Sequence, residues 1–562
     1  GGQDMKCFKI KNGTIDSIFL NEACSSGCGS FISTFASAMG YDVEEFANLG
    51  LHSKHPVDLG SRCTVFMNSS VKQSQKEGAS VEDISAGLSI SVVKNALYKV
   101  IRANDADDLG ERIVVQGGTF YNNAILRAFE KEIGREVIRP SIAGLMGAFG
   151  CALYAKANGK GISTCLTAEA LERFEYQTYS KTCQFCGNHC ELTINHFSNG
   201  EELIAGNRCE RPLNKNEKES RLPNSYLYKQ QLINNIKKEQ MKGDFPKGTV
   251  GMPLALNIYE MYPFWTAFWN HLGYRVMLSP FGSKQMFQKG QYTIPSDTVC
   301  YPAKMVHGHI EYLLEKDIDF IFYPCLTYNF DEHISDNNYN CPVVAYYPQV
   351  IEANVSRVNA SNFKYGFYGV HNKKYMKKQL IKDLGKSLHL SHKMVGEALD
   401  AAYAAQVEYR DKQKTFAKQA IDYARVHDLP IIILAGRPYH VDPEINHGID
   451  RLIQGFNTVV ISEDGLDYIY DDTDTHVLNQ WTYHARLYNA AKYVSQNEDM
   501  SLVQLVSFGC GLDAITADEV RELLEEQGEI YTQIKIDEIS NLGTVKIRLR
   551  SLFATLEQRR KR

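Results

Sequence analysis

The sequence has no run of about 18 consecutive apolar residues, the length that a membrane-spanning helix needs. Its first residues also lack the basic and apolar stretches of a secretory signal peptide. Neither sign of charge is in clear excess, because 66 acidic residues stand against 61 basic ones and the net charge is −5. We therefore expect a cytoplasmic protein that binds neither a membrane nor nucleic acid.

A single hydrophobic core is also excluded, because 562 residues are too many for one core. Disulfide bonds explain the 14 cysteines poorly, because thiols stay reduced in the cytosol. In a reduced compartment, closely spaced cysteines indicate metal or redox sites.

The sequence begins with Gly-Gly-Gln-Asp and not with Met. A turn of this composition normally follows a buried strand, since glycine lets the backbone bend tightly and approach a ligand. We therefore expect the chain to be a fragment that begins inside a domain.

Alternating strand and helix patterns predict parallel sheets covered by helices, whose ligands collect at the carboxyl ends of the strands. The predicted segments are a partial nucleotide-binding domain at 1–160, a cysteine-rich segment and linker at 161–245, an α/β domain at 246–373, a helical connection at 374–428 and a second α/β domain at 429–562. The first begins with a hairpin about Asn12-Gly13. Further strands are predicted at ERIVVQGG (111–118), EVIRP (136–140), CPVVAYYP (341–348) and the run after Cys63, and a helix at 142–157.

Two glycine turns are candidate nucleotide contacts: Gly1, Gly2, Gln3 and Asp4 form the first, and Gly117 and Gly118 form the second. Exposed backbone N–H groups at such turns bind phosphate or admit an adenosine. Paired glycines after strands are also common as simple turns, and the spacing leaves both interpretations open.

Cys24 and Cys63 are a candidate pair of metal ligands. Cys24 lies in a glycine-rich loop before a predicted helix, where the helix dipole favours a thiolate. Two thiolates do not complete a four-thiolate cluster, but a dimer that shares one cluster on its two-fold axis supplies four. The alternative is two unrelated buried cysteines. Packing roles are assigned to Cys7, Cys28, Cys151 and Cys165, and Cys151 is expected in the core.

The pattern CxxCxxxC, followed by one more cysteine, is the strongest metal motif in the chain. Its members are Cys183, Cys186, Cys190 and Cys209. The spacing fits a tetrahedral thiolate site. The order of the first three favours an iron–sulfur cluster, whereas the strand-like ELTINHF between the ligands favours a structural zinc ribbon, so the metal stays open.

Cys300, Cys325 and Cys510 each end or follow a predicted strand in the last two α/β regions. Strand ends of adjacent domains can meet in a cleft, and three thiolates there leave one iron of a cluster open. Cys341 is either a fourth ligand or a packing cysteine. Six polar residues are candidates for binding a substrate or anion, or else belong to turns and helix faces: His440, Asp442, Glu444, His447, His484 and Arg486. Lys304, His307 and His309 follow Cys300 on a predicted helix and either position charge near a cluster or have surface or capping roles.

The strings NEACSSGCGSF, SRCTVF, VVQGGTFYNNAILRAFE and PSIAGLMGAFGCAL resemble the activators of 2-hydroxyacyl-CoA dehydratases and the ATP-binding subunits of benzoyl-CoA reductase. The resemblance implies the C-terminal half of an actin/Hsp70/acetate-kinase-like (ASKHA) fold. It implies that Cys24 and Cys63 ligate a [4Fe–4S] cluster shared in a homodimer. It also implies that Gly1, Gly2, Gln3 and Asp4 form the second phosphate motif, and that Gly117 and Gly118 approach the adenosine. Cys28 stands where the family is expected to have a Thr or similar residue.

Residues 180–562 resemble the long fused form of this family, in which two flavodoxin-like α/β domains similar to dehydratase subunits follow the activator. The resemblance matches Cys300, Cys325 and Cys510 to three cysteines that hold a cluster. The family's first phosphate loop is absent, so the ATP/Mg site is incomplete. Either the rest lies upstream or the polypeptide no longer hydrolyses ATP.

The leading hypothesis is therefore an iron–sulfur component of an ATP-driven low-potential electron-transfer system that activates or forms part of a 2-hydroxyacyl-CoA dehydratase or benzoyl-CoA reductase-like enzyme. The implied partners are a ferredoxin or flavodoxin as electron donor and a CoA-thioester enzyme. The alternative is a zinc-stabilised binding or scaffold protein with a degenerate nucleotide fold.

Overall fold

The chain forms two compact units, Gly1–Phe174 with Ala554–Arg562, and Glu175–Phe553. The computed structural model describes residues 5–11, 14–20, 29–60, 64–101, 103, 107–159, 161, 165–183, 191–206, 222–296, 298–466, 475–507, 509–538 and 542–560. Within these ranges no helix is both long and apolar enough to span a bilayer.

The first unit combines the predicted hairpin with a group of packed helices. Its elements are β1 (Lys6–Lys11), β2 (Thr14–Leu20), α1 (Gly29–Ala38), α2 (Val43–Leu51), α3 (Thr64–Lys76), α4 (Val81–Lys94), α5 (Asn123–Ile133), α6 (Met146–Asn158) and α7 (Ala168–Glu172). β1 and β2 pair antiparallel, as the Asn-Gly turn predicts. Phe46, Leu88 and Ile125 bring α2, α4 and α5 together in one core.

Three strand predictions in this unit are wrong. Residues 111–118 and 136–140 share one isolated parallel bridge between Val114 and Ile138, and both side chains are more than half exposed. The run after Cys63 is the helix α3, because Met67 and Val71 are four residues apart and both bury on one helix face.

The expected helix over 142–157 is confirmed as α6 with a preceding 3-10 turn, but Cys151 is not a core residue. No residue of α6 is buried, and Cys151 is exposed. The small side chains of this helix indicated close packing, but the described residues of the unit leave it uncovered.

The second unit holds the remaining sheets. Its elements are β3 (Tyr176–Thr182), β4 (Glu191–Phe197), β5 (Glu202–Ala205), α8 (Ser225–Gln240), β6 (Gly248–Met252), α9 (Ile258–His271), β7 (Tyr274–Leu278), α10 (Lys284–Gly290), α11 (Tyr301–Leu313), β8 (Phe320–Phe322), β9 (Cys325–Tyr328), α12 (Pro342–Asn354), β10 (Phe363–Lys364), β11 (Phe367–Gly369), α13 (Lys373–Leu380), α14 (His392–Val426), β12 (Ile431–Ala435), α15 (Ile449–Gln454), β13 (Val459–Ser462), α16 (Thr482–Ser495), β14 (Met500–Ser507), α17 (Gly511–Glu525), β15 (Thr532–Ile536) and the start of α18 (Leu542–Arg560).

Two four-stranded parallel sheets have the same strand order. The first is β7-β6-β8-β10 and the second is β13-β12-β14-β15, so each reads 2-1-3-4 along the chain, the order of a doubly wound flavodoxin-like sheet. Every residue of β12 and β14 is buried, as expected for strands with helices on both faces. β9 and β11 form a further parallel pair. The predicted mixed α/β class with parallel sheets is confirmed.

The predicted strand at CPVVAYYP is wrong, because this segment begins the helix α12. Pro342 occupies the first helical turn, where its missing N–H costs nothing. The Cys341 sulfur accepts a hydrogen bond from the Val344 N–H at 3.4 Å and so caps the helix. Val344, Tyr347 and Ile351 then bury at helical spacing.

A small antiparallel sheet, β3-β4-β5, precedes the first parallel sheet. Its strand β4 confirms the strand predicted at ELTINHF. Its core consists of Cys183, Leu192 and Ile194 with the partly buried Ile204. A core of this size supplies little stability by itself.

Candidate metal centre

Three cysteines occupy the same structural position, the residue that directly precedes a helix. Cys300 precedes α11, Cys341 precedes α12 and Cys510 precedes α17. The N–H groups of a first helical turn have no partner within the helix, and the dipole there is positive. The N–H groups of Ala303 and Val344 act to lower the pKa of Cys300 and Cys341, although burial outweighs them.

The three thiols lie within electrostatic range of one another. Burial first, and then the Cys341 and Cys510 thiols, raise the pKa of Cys300 to about 11. Burial likewise raises the pKa of Cys341, and Cys510 adds to the shift. These thiols keep their protons while no metal is bound. A bound metal releases the protons, because metal ligation requires and stabilises the thiolate.

Arg437 is the cation that faces this group. Its Nη2 lies 3.9 Å from the Cys510 sulfur and pairs with the carboxylate of Asp513, and all of these atoms are buried or nearly so. Burial lowers the pKa of Arg437, but Tyr439, Cys510 and Cys341 outweigh burial and raise it above its usual value. Arg437 therefore stays charged beside the thiols.

The second sheet explains why Arg437 and Cys510 meet. Arg437 follows strand β12 after one glycine, and Cys510 follows β14. These neighbouring strands are the first and third along the chain, so the connections leave them in opposite directions and open a crevice at their carboxyl ends. Ligands of doubly wound sheets bind at such a switch point.

Cys325 is not part of this group. It begins β9, it is fully buried, and burial is the main cause that raises its pKa to about 12. The charge that acts on it comes from Glu352 and not from the other three thiols. Cys341 and Cys510 are the two thiols that act on Cys300, and the expectation that Cys325 is a cluster ligand stays a prediction. The signal for Cys341 was in the sequence, because Cys300 and Cys341 are each followed within two residues by a proline of the first helical turn.

Thiols are donors that both zinc and iron–sulfur clusters take. Within the described ranges no three His, Cys, Asp or Glu side chains converge closely enough to hold one metal ion. Thiolates of a cluster each bind a different iron and need not converge on one point. His440 Nε2 and both ring nitrogens of His484 are also buried near Arg437 without a hydrogen-bond partner in the described part of the chain, which is unusual in a filled protein interior.

Several polar residues singled out in the sequence connect the elements around the thiols. The Tyr301 hydroxyl donates to Glu444 at 3.0 Å, Lys304 pairs with Glu538 at 3.2 Å, and the Asp442 carboxylate accepts from the Gly282 N–H at 2.7 Å. These contacts join the two parallel sheets, so their observed role is structural.

Two histidines of α11 are buried and neutral. His307 lies between Thr293 Oγ1 at 2.7 Å and the Tyr347 hydroxyl at 3.1 Å, and burial lowers its pKa to about 4. His309 contacts Ser279 Oγ at 2.8 Å, and burial lowers its pKa to about 3.

A separate buried ion network surrounds a cavity of about 270 Å³ between α9, α14 and α16. Arg486 pairs with Glu260 and, at 2.6 Å, with Glu332, while Arg410 lies 2.9 Å from Glu332. Burial acts to raise the pKa of Glu260, but Arg486 and Arg410 together hold it below its usual value. The sequence singled out Arg486 but not its carboxylate partners, which lie more than 150 residues away.

The second glycine turn is open to a ligand. Gly117 has a φ of +101°, a conformation that favours glycine, and its N–H donates to the Ala143 carbonyl at 2.7 Å. No described atom lies within 4 Å of where a Cβ of Gly118 would sit. Gly118 therefore has open space beside it among the described residues, and the nucleotide contact of this turn stays a prediction.

Nine of the other candidate residues lie outside the described ranges. These are Gly1, Gly2, Gln3, Asp4, Cys24, Cys63, Cys186, Cys190 and Cys209. Cys183 alone of its motif is described, and it is buried against Leu192 and Ile194.

Comparisons with known proteins agree with the motifs. A model of the BadF/BadG/BcrA/BcrD ATPase family matches residues 1–155, and a model of the CoA enzyme activase uncharacterised domain matches residues 249–466. The chain carries a segment of each of these families. The family resemblance read from the sequence motifs is thereby confirmed, and the ATPase-family match supports the actin-like fold predicted for the N-terminal segment.

Curated relatives match the ATPase-family segment. The chain is 38% identical over 156 residues to the 2-hydroxyisocaproyl-CoA dehydratase activator of Clostridioides difficile, which covers 28% of the chain and 57% of the relative. It is 34% identical over 155 residues to the (R)-2-hydroxyglutaryl-CoA dehydratase activating ATPase of Acidaminococcus fermentans, which covers 28% of the chain and 58% of the relative. The chain thus spans a little over half the length of these relatives.

One solved structure, the activator of the 2-hydroxyisocaproyl-CoA dehydratase from Clostridium difficile with bound ADPNP, is 35% identical. The match covers 30% of this chain and 62% of that one, with a TM-score of 0.26.

Proposed function

We propose that this chain is an iron–sulfur electron carrier in an ATP-driven system that activates an enzyme resembling the 2-hydroxyacyl-CoA dehydratases. The observation that carries the proposal is the group of three partly buried thiols at Cys300, Cys341 and Cys510, in a chain that also has an ATPase-family segment. Packing alone does not account for three thiols around a crevice, because smaller apolar side chains would fill the same space.

In this proposal Cys300, Cys341 and Cys510 hold a [4Fe–4S] cluster, which supplies one-electron chemistry when bound. The helix N-termini and Arg437 offset the negative charge of the thiolates. Tyr439 and Tyr347 are both buried beside the thiols and limit the access of water. The protein thus controls the group through charge, hydrogen bonds to sulfur and burial.

The energy source in this proposal is ATP. The turn at Gly117 and Gly118 presents accessible backbone for the adenosine, and Gly1, Gly2, Gln3 and Asp4 are assigned to phosphate with Mg²⁺. Cys24 and Cys63 would share a second cluster across a homodimer. The names of the curated relatives support a dehydratase as the activated partner. A ferredoxin or flavodoxin in the cytoplasm is the proposed electron donor.

The test is anaerobic purification followed by measurement of iron, sulfide and zinc per polypeptide, with an EPR spectrum after reduction by dithionite. We expect several irons with matching sulfide and a reduced-cluster signal that weakens in Cys300→Ala. Zinc without iron or sulfide would overturn the proposal and support the scaffold hypothesis, which the comparisons do not favour.

A further inference from the structure

Arg437 is a charged side chain in direct contact with one of the three thiols, Cys510. The residue Arg437 is 5% exposed. Its guanidinium lies 3.9 Å from the Cys510 sulfur, 3.1 Å from the Tyr439 hydroxyl and 3.5 Å from Ser507 Oγ. One side chain therefore reaches a proposed ligand, an aromatic wall of the crevice and the end of strand β14.

The guanidinium does not move freely. Its second partner, Asp513, lies three residues after Cys510 in the first turn of α17, and the Asp513 carboxylate accepts the Ser507 N–H at 2.6 Å. The planar fork of Arg437 is thus held between a sulfur and a carboxylate, an arrangement that a lysine ammonium cannot reproduce.

The nearby histidines add no positive charge. Burial, with the Arg437 charge as the second cause, lowers the pKa of both His440 and His484 well below the usual value. Among the described residues, Arg437 is the cation that acts on the Cys300 and Cys341 thiols.

We propose that Arg437 is a positioning residue that sets the reduction potential of the cluster held by Cys300, Cys341 and Cys510, and that Asp513 opposes it. This inference rests on the proposed function. Reduction adds one electron, and hence one negative charge, to a buried group. A cation in contact with a ligand sulfur stabilises the added charge, and a carboxylate one step further out weakens that effect.

The two charges predict shifts of the reduction potential in opposite directions. Arg437→Gln removes the cation and leaves Asp513, so the potential becomes more negative than in the wild type. Asp513→Asn removes the opposing carboxylate and leaves the cation, so the potential becomes more positive. Arg437→Lys keeps the positive charge, so its reduction potential lies closer to the wild-type value than to that of Arg437→Gln. A role in packing alone would let water enter in both single variants and move both potentials in the same direction.

The experiment is an EPR-monitored redox titration of the anaerobic full chain, with dithionite and mediators supplying the electron, alongside iron and sulfide analysis. A matched control removes a buried pair elsewhere in the same unit, Lys229→Met with Asp464→Asn, whose potential should equal the wild-type value. Opposite shifts in the two single variants support the inference. Shifts of one sign, or none, in cluster-loaded variants overturn it while leaving the proposed function intact, and a wild-type chain without iron or sulfide overturns both. If Arg437→Gln does not hold a cluster, the sign of the shift in Asp513→Asn decides.

Discussion

The Tyr301 hydroxyl donates a 3.0 Å hydrogen bond to Glu444 and so joins the helix that Cys300 begins to the loop that follows Arg437. Both residues are buried. The contact thus links the segment of Cys300 to the segment of Arg437, whose guanidinium lies 3.9 Å from the Cys510 sulfur.

Tyr301→Phe should destabilise the protein by about 2 kcal/mol, because it leaves a buried carboxylate without one of its donors. The matched control is Tyr365→Phe, which removes a 2.6 Å hydrogen bond to Glu352, a carboxylate that is exposed. Urea unfolding followed by circular dichroism compares the two. Equal shifts of the unfolding midpoint would show that the buried Tyr301–Glu444 hydrogen bond stabilises the protein no more than the control hydrogen bond does.

Arg486→Met should destabilise the second unit by about 3–5 kcal/mol, because it leaves Glu260 and Glu332 short of a buried partner. Arg425→Met is the control, since Arg425 pairs with Asp499 at 2.7 Å on the surface and should cost less than about 1 kcal/mol. The measurement is the change in the denaturant midpoint of each variant. The account of the buried network fails if the Arg486 variant is no less stable than the control.

Acid should destabilise the second unit through His309. Its folded pKa of about 3 lies below the unfolded value of 6.5, so its contribution is complete above pH 6.5 and is lost as the pH falls toward 3. Over that window the free energy of unfolding should fall by on the order of 1.4 kcal/mol per pH unit from this group. His309→Gln should flatten the slope measured by urea titrations at successive pH values. An unchanged slope would rule out His309 as a source of acid sensitivity.

Metal removal should loosen the small sheet β3-β5 before the rest of the second unit. Its core has three buried residues, too few to stabilise it, so a metal at Cys183, Cys186, Cys190 and Cys209 would supply the missing free energy. Hydrogen exchange after chelation should rise at 176–205 and stay low in β12 and β14. Cys183→Ser should reproduce this pattern, and retained protection in the chelated protein would show that the sheet needs no metal.

Local patterns predicted much of the fold. The hairpin at β1-β2 followed from its Asn-Gly turn, and strand β4 followed from the strand-like ELTINHF. The failures have a common cause. Val114 and Ile138 read as buried strand residues, but a strand exists only with its neighbours, and the described chain gives them one bridge. At α12, β-branched and aromatic residues favoured a strand, whereas the Cys-Pro pair that starts a helix decided the outcome.

The candidate site shows the same limit. The sequence named Cys300 and Cys510 because each was expected at the end of a strand. Cys510 does follow β14, but Cys300 directly precedes α11, and among the described residues no strand ends beside it. The proposal of Cys341 depends on its place directly before α12 and on its electrostatic effect on Cys300, which chain order does not reveal. Arg437 was missed because its role arises from contact with residues 73 and 76 positions later, Cys510 and Asp513, and no local pattern records such a contact.

The most direct test of the central claim compares Cys341→Ala with Cys325→Ala. Each variant is purified anaerobically, and iron and sulfide are counted per polypeptide beside the wild type. The structure predicts that Cys341→Ala loses the iron and sulfide of one cluster, whereas Cys325→Ala retains the wild-type content. Loss in Cys325→Ala with full retention in Cys341→Ala would contradict the grouping of Cys300, Cys341 and Cys510.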